Sequence, residues 1–228
     1  MTVAEKIQID QVVRSKRRTI ALIIEKDGRV VVRAPLRVSL RAIREFAATK
    51  EEWIRAKQAL VREKYARVES KTFADGEHFL FLGKTYPLKI VENAPDALEL
   101  SDQFLLKRSS LPEAQALFKA WYRRQAGRVI SERAAWYAAR YGFQYSQVKI
   151  TSAQTRWGSC SAKGTLSFAW RLVMAPLPVI DYVVVHELVH TIEKNHAKGF
   201  WERVRAIIPD YKQKRDWLEF NGAALSLS

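Results

Sequence analysis

Pro178-Val179-Ile180-Asp181-Tyr182-Val183-Val184-Val185-His186-Glu187-Leu188-Val189-His190 reads as a helix that is apolar on almost every side, with a proline near its start. A helix without a polar face belongs in the centre of a core. That places His186, Glu187 and His190 indoors, where polar groups left without partners cost several kcal/mol each. The stretch therefore predicts two things together, a buried helix and something for its histidines to hold.

A metal ion answers the second requirement. Residues four apart on a helix are separated by about 40° of rotation and one turn of rise, so the two imidazoles reach the same point. Glu187, one residue on from His186, projects beside that point, where a carboxylate can take a proton from a metal-bound water. Zinc held by three protein ligands with its fourth position open is the arrangement found at catalytic sites. For the third ligand, Glu193 returns to the His186 face if the helix continues, whereas His196 lies about 80° away unless the helix stops first. Asn195 suits a left-handed helix end and Lys194 suits a helix C-terminus. His196 is therefore favoured over Glu193 and over a downstream acid such as Glu202. His78, isolated from the other three histidines, reads as a strand or turn residue.

Working outward, the 228 residues are 48% hydrophobic and 28% charged, which excludes collagen-like and disordered classes. The single Cys160 excludes an internal disulfide and reads as packing in a reducing compartment. No signal-like segment opens the chain, and its most apolar stretch, 172–185, is broken by two prolines and Asp181, so a cytoplasmic protein without a membrane span is expected.

Two β-branched runs, 20–25 and 30–33, flank Lys26-Asp27-Gly28-Arg29, a hairpin signal. Helical spacing follows from Ser39 to about Val68, divided by a capping box at Thr49 and Glu52. Strands are expected at 78–82, 86–91, 97–100 and 104–107. After Ser109-Ser110-Leu111-Pro112 a long helix should run to Tyr141 and end at Gly142, before strands at 148–151 and 166–170. Phe200, Trp201, Val204, Ile207 and Ile208 form the apolar stripe of one more helix. The expected fold is α+β: an N-terminal mixed, mainly antiparallel β and helical module over residues 1–110, packed on a C-terminal core over 111–228 that carries the HExxH helix.

Thr155-Arg156-Trp157-Gly158-Ser159-Cys160-Ser161 is a small-residue run after a strand. Such a run lets a backbone or ligand come close, and Arg156 can clamp a carboxylate or phosphate, or simply pair with a carboxylate. Tyr182, one turn before His186, and Tyr211 can donate to a developing oxyanion or pack.

Arg156-Trp157-Gly158-Ser159-Cys160-Ser161, Trp170-Arg171-Leu172, Ala175-Pro176, the run 181–190, Asn195-His196 and Phe200-Trp201 together resemble the YgjP-like metal-dependent hydrolases, a branch of the zincin metallopeptidases related to SprT-like proteases. Arg14 to Arg18, Pro35 and Trp53-Ile54 extend the resemblance to the N-terminal half. It implies a zincin-like core, one Zn²⁺ per chain on His186, His190 and His196, and Glu187 as catalytic base. Relatives often carry Asn where this chain has Ala169, which bears on substrate contacts.

Three functions follow. In a metallopeptidase, a metal-bound water activated by Glu187 attacks a peptide carbonyl, with the Arg156 segment along the cleft. In a nucleotide (UTP) pyrophosphatase, the other label this family has carried, Arg156 and Arg171 hold the phosphates. In a DNA-associated protein the zinc site is structural, but such a site is normally closed by a fourth ligand. Histidine ligands tilt the choice toward the peptidase, because phosphate hydrolases more often use oxygen ligands and Mg²⁺. The formal charge of +15 is weighted toward the first 70 residues. Arg14, Lys16, Arg17 and Arg18 there can hold nucleic acid, although a solvated face is favoured.

Overall fold

The computed structural model describes residues 7–25, 27–66 and 70–227. Met1 to Lys6, Lys26 of the expected turn and Val68 at the expected helix end lie outside the described residues. The chain forms two compact units, Met1–Glu69 and Ser70–Ser228.

In the first unit, β1 (Gln11–Ser15), β2 (Ala21–Ile24) and β3 (Val30–Pro35) form a sheet in the order β1-β3-β2. β3 is antiparallel to β2 and parallel to β1, which the alternation did not reveal. Gly28 makes the hairpin turn at φ +85°, a conformation that costs glycine little. α1 (Leu40–Ala48) begins where the Ser39 hydroxyl accepts from the Ala42 amide at 3.1 Å. α2 (Glu51–Ala66) follows. The expected capping box does not form: the Thr49 hydroxyl donates back to the Phe46 carbonyl at 2.8 Å, closing α1 instead of opening α2. Val32, Ala34 and Ile43 make one small core and Val30, Ala47 and Ile54 another.

The second unit opens with β4 (His78–Phe81), β5 (Lys84–Val91), β6 (Leu98–Leu100) and β7 (Phe104–Lys107), in the order β4-β5-β7-β6. A 3₁₀ turn leads into α3 (Ala114–Tyr141), which ends at Gly142 with φ +73°. A second sheet, in the order β8-β10-β9, is built from β8 (Gln147–Thr151), β9 (Gly158–Cys160) and β10 (Thr165–Ala169). Then come α4 (Leu177–Val189), α5 (Lys198–Ile207) and α6 (Tyr211–Asn221). Six α-helices and three sheets among the described residues make this an α+β fold, as expected. None of the described helices is long and apolar enough to cross a membrane.

α4 is apolar all round because it is surrounded; Val184, Val185, Leu188 and Val189 are fully buried. Its setting against α3 is pinned by Arg133, whose Nε and Nη2 donate to the two carboxylate oxygens of Asp181 at 2.6 and 2.9 Å. Such a fork fixes both distance and angle, and removing one partner leaves a buried charge.

The division expected near residue 110 falls inside the second unit. Phe79 of β4 stacks on Phe118 of α3 at 4.2 Å between ring centroids, and Phe104 of β7 lies 4.9 Å from Phe118. The Tyr122 hydroxyl donates to the Leu80 carbonyl at 2.7 Å. The Leu82 and Gly83 amides donate to the Val173 and Met174 carbonyls at 2.9 and 3.1 Å. Strands β4–β7 are therefore one wall of the core that also buries α3 and α4. Expressed alone, residues 70–228 should unfold cooperatively by circular dichroism, whereas 111–228, stripped of Phe79 and Phe104, should not. Phe118→Ala in the full chain should cost about 3–5 kcal/mol in denaturant titration.

Candidate metal centre

α4 ends earlier than the sequence suggests. Its last helical residue is Val189 and His190 is the cap, with Thr191 and Ile192 folding back onto the Leu188 and Val189 carbonyls at 2.9 and 3.0 Å. The Lys194 ammonium donates to the His190 and Thr191 carbonyls at 2.9 and 3.1 Å, occupying acceptors that a continuing helix would have used. Asn195 plays a different part from the one expected. It adopts no left-handed backbone, and its side-chain oxygen accepts from the Ala197 amide at 3.1 Å, turning the chain into α5. The five residues between His190 and His196 thus form a tight return that brings His196 back over the end of α4.

The three imidazoles then meet. His196 Nε2 lies 3.1 Å from His190 Nε2 and 3.0 Å from His186 Nε2. The candidate ligand atoms of all three lie within 4.8 Å of one another. His190 Nδ1 is 2.9 Å from the Glu193 carbonyl oxygen, which can only accept, so the ring proton sits on Nδ1 and Nε2 presents a lone pair inward. Nitrogens about 2.0–2.1 Å from one tetrahedral Zn²⁺ stand roughly 3.3 Å apart, close to the spacing seen. A single proton can bridge only one pair of these atoms, whereas one cation serves all three. Burial, reinforced by the other two histidines, pulls the His186 pKa down to about 3, so it too is a neutral donor near pH 7. The Phe200 ring centroid lies 4.8, 4.5 and 4.7 Å from those of His186, His190 and His196, and Trp201 stacks on His196 at 5.6 Å. The stripe read as core therefore also walls the site.

Glu193 and Glu202 stand outside the cluster. The Glu193 carboxylate pairs with Arg203 at 3.2 Å, and Glu202 with Lys198 at 3.7 Å. His78 is an exposed residue of β4.

Glu187 is 5% exposed, and burial raises its pKa to about 8, with Arg156 pulling the other way. Its Oε2 is buried without a hydrogen-bond partner among the described residues. The carboxyl group lies flat against β9, where a Cβ on Gly158 would fall 2.5 Å from Oε1 and 2.6 Å from Cγ. Glycine at 158 is what lets Glu187 occupy its place. The small-residue run did signal a close approach; what comes close is the protein's own carboxyl group.

Arg156 is exposed and shows no ion pair among the described residues, with its charge felt at Glu187. Tyr182 is buried between His186 and Tyr211, with ring centroids 6.0 and 6.4 Å away, and burial lifts its phenol to about 12, so it keeps its proton. Arg171 does not fit a substrate contact. It is 6% exposed, and its guanidinium donates to the Leu225, Ala153 and Gln154 carbonyls at 3.1, 3.2 and 3.3 Å while lying over the Trp157 ring. Cys160, half-buried on β9, is free, and burial raises its thiol pKa. Ala169 is buried, its amide donating to the Trp157 carbonyl at 2.9 Å. In the first unit, Arg14 is engaged by the Pro35, Leu36 and Val38 carbonyls at 3.2, 3.2 and 2.6 Å, a structural use of one of the four basic residues considered for nucleic acid.

A family profile described as YgjP-like, metallopeptidase domain, matches residues 18–221. The chain belongs to the YgjP-like metallopeptidase family. It is thus a metal-dependent hydrolase of the protease class, and membership implies a metal ion, for which the histidine triad is the fitting donor set. No curated protein matches the chain. Among solved structures, the metallopeptidase zymogen of Pyrococcus abyssi abylysin is similar at 21% identity, covering 39% of this chain and 90% of that one with a TM-score of 0.37.

The Glu187 shift has a stability consequence. Between its unfolded value of 4.5 and its folded value of about 8 the native state holds a proton that the unfolded chain has released. Stability from this group is therefore present at low pH and lost as pH rises through 8. Metal-stripped Glu187→Gln protein should melt at a higher temperature than the stripped parent at pH 8, and the difference should shrink toward pH 5. A gap that does not change with pH would contradict the burial argument.

Proposed function

We propose that the protein is a zinc-dependent peptidase in which His186, His190 and His196 hold one ion per chain and Glu187 is the general base. The observation that carries this reading is the convergence of three Nε2 atoms, with the buried Glu187 next to His186 on α4. Three imidazoles suit Zn²⁺ better than Mg²⁺ or Ca²⁺, which prefer oxygen ligands. When bound, zinc supplies a Lewis acid that polarises a scissile carbonyl and makes water acidic enough to react near neutral pH.

The chain's own residues supply the rest. Glu187, held against β9 one residue along α4 from His186, is the group placed to accept a proton from the attacking water and to return it to the leaving amine. Tyr182, protonated throughout the working range, is a donor for the carbonyl oxygen as it becomes anionic. Arg156, exposed and without an ion pair among the described residues, is available to a substrate carboxylate or carbonyl. The nucleotide alternative loses one of its two phosphate-holding arginines, because Arg171 is occupied by backbone carbonyls. A lone free cysteine fits a reducing compartment, and the cytoplasm is the proposed location.

Zinc-loaded protein should cleave casein-derived peptides and leave nucleoside triphosphates intact. Glu187→Gln should retain about one zinc per chain and lose about 10²–10⁴ in turnover. Triphosphate hydrolysis without peptide cleavage, or an active Glu187→Gln variant, would overturn the reading. Metal content tests the ligand set separately: His196→Ala should lose zinc and Glu193→Ala should keep it.

A further inference from the structure

Trp157 lies between Arg156, the exposed guanidinium of the site, and Gly158, against which Glu187 rests. What holds Trp157 comes from elsewhere in the chain. On one side the Arg171 guanidinium lies over its ring, 4.8 Å from the centroid. The same group grips the backbone just upstream through the Ala153 and Gln154 carbonyls, and reaches the Leu225 carbonyl in the segment after α6. Against another edge sits Gly222, where a Cβ would fall 2.8 Å from Trp157 Cζ2. Leu225 and Leu227 are buried in the main core and fix that segment in place. Downstream, the Trp157 carbonyl accepts from the Ala169 amide at 2.9 Å, joining the segment to β10.

We propose that Arg171 is a positioning residue for the reaction: together with residues 222–227 it clamps Trp157, and the clamp sets where Gly158 and Arg156 stand relative to Glu187. The inference rests on the peptidase reading for its kinetic part alone. An arginine suits the task because one rigid planar group stacks on an indole while its edges serve several carbonyls, which a lysine cannot reproduce. The cost of slack here falls on Glu187, whose carboxyl group has no hydrogen-bond partner at Oε2 among the described residues and is located by contact with Gly158. A displacement of about 1 Å at such a group can cost on the order of 10²-fold in rate.

The test uses Arg171→Met and Arg171→Lys in the full chain, with zinc content and circular dichroism measured first. Hydrogen exchange needs no turnover: Arg171→Met should speed exchange across residues 153–160 about tenfold or more while residues 177–190 keep their protection. In peptide cleavage, Arg171→Met should lower kcat about tenfold or more with a smaller change in KM, and Arg171→Lys should not restore it. Combined with Gly158→Ala, which itself dislodges Glu187, Arg171→Met should add less than about twofold, because both act through one contact. Unchanged exchange at 153–160, or kinetic losses that simply multiply, would overturn the proposal. If Arg171→Met does not fold, Arg171→Lys carries the same comparison, since it keeps the charge while losing the planar group that covers Trp157. A parent protein without peptidase activity would refute the proposed function while leaving the exchange result to stand or fall alone.

Discussion

The site depends on α4 stopping at His190. Two histidines one turn apart supply two nitrogens, and an uninterrupted helix would carry the next residues along its axis, away from the point where those nitrogens meet. The return through 191–195 reverses that course. It is held by backbone carbonyls that the Lys194 ammonium and the His190 ring both recruit. The Glu193 carbonyl that orients His190 lies within the same loop that delivers His196. Ending the helix, orienting the second imidazole and presenting the third are thus one local arrangement. Phe200, touching all three rings, ties it to α5.

Around that point the protein places groups at some energetic cost. A carboxyl group taken out of water resists ionisation, which raises the Glu187 pKa. Its position is determined by shape, through the space that Gly158 leaves on β9. The Arg133–Asp181 fork does similar work further away by fixing α4 against α3. Gly158 and Arg133 are both distant from Glu187 in sequence. Their effects converge because β9, α3 and the chain beyond α6 all meet the same buried helix or the segment leading into β9.

Several elements were legible from periodicity and punctuation. The Asp27-Gly28 hairpin, the Ser39 cap, the four strands between 78 and 107 and the α3 helix ending at Gly142 stand where spacing placed them. What escaped was decided by partners distant in sequence. β9 is a three-residue strand with no alternation to read and exists because β10 pairs with it. The Thr49 hydroxyl had two backbone ends available and bonded the earlier one. The units divide at 69 and not near 110 because Phe79 and Phe104 pack against Phe118, a contact that a composition break at Pro112 cannot reveal.

By itself, the sequence determined which chemistry is present: two imidazoles and a carboxylate at helical spacing, in a segment too apolar to lie anywhere except the core. Those facts follow from helix geometry and hydrophobic burial, which act over a few residues. Only the tertiary structure decided that His196 and not Glu193 joins the other two histidines, since that depends on where the helix breaks and on Arg203 drawing off the Glu193 carboxylate. It likewise separated Arg156, left at the surface, from Arg171, buried under Trp157. The two are the same residue type in adjacent motifs, and the carbonyls that fold around Arg171 occupy it while Arg156 stays exposed.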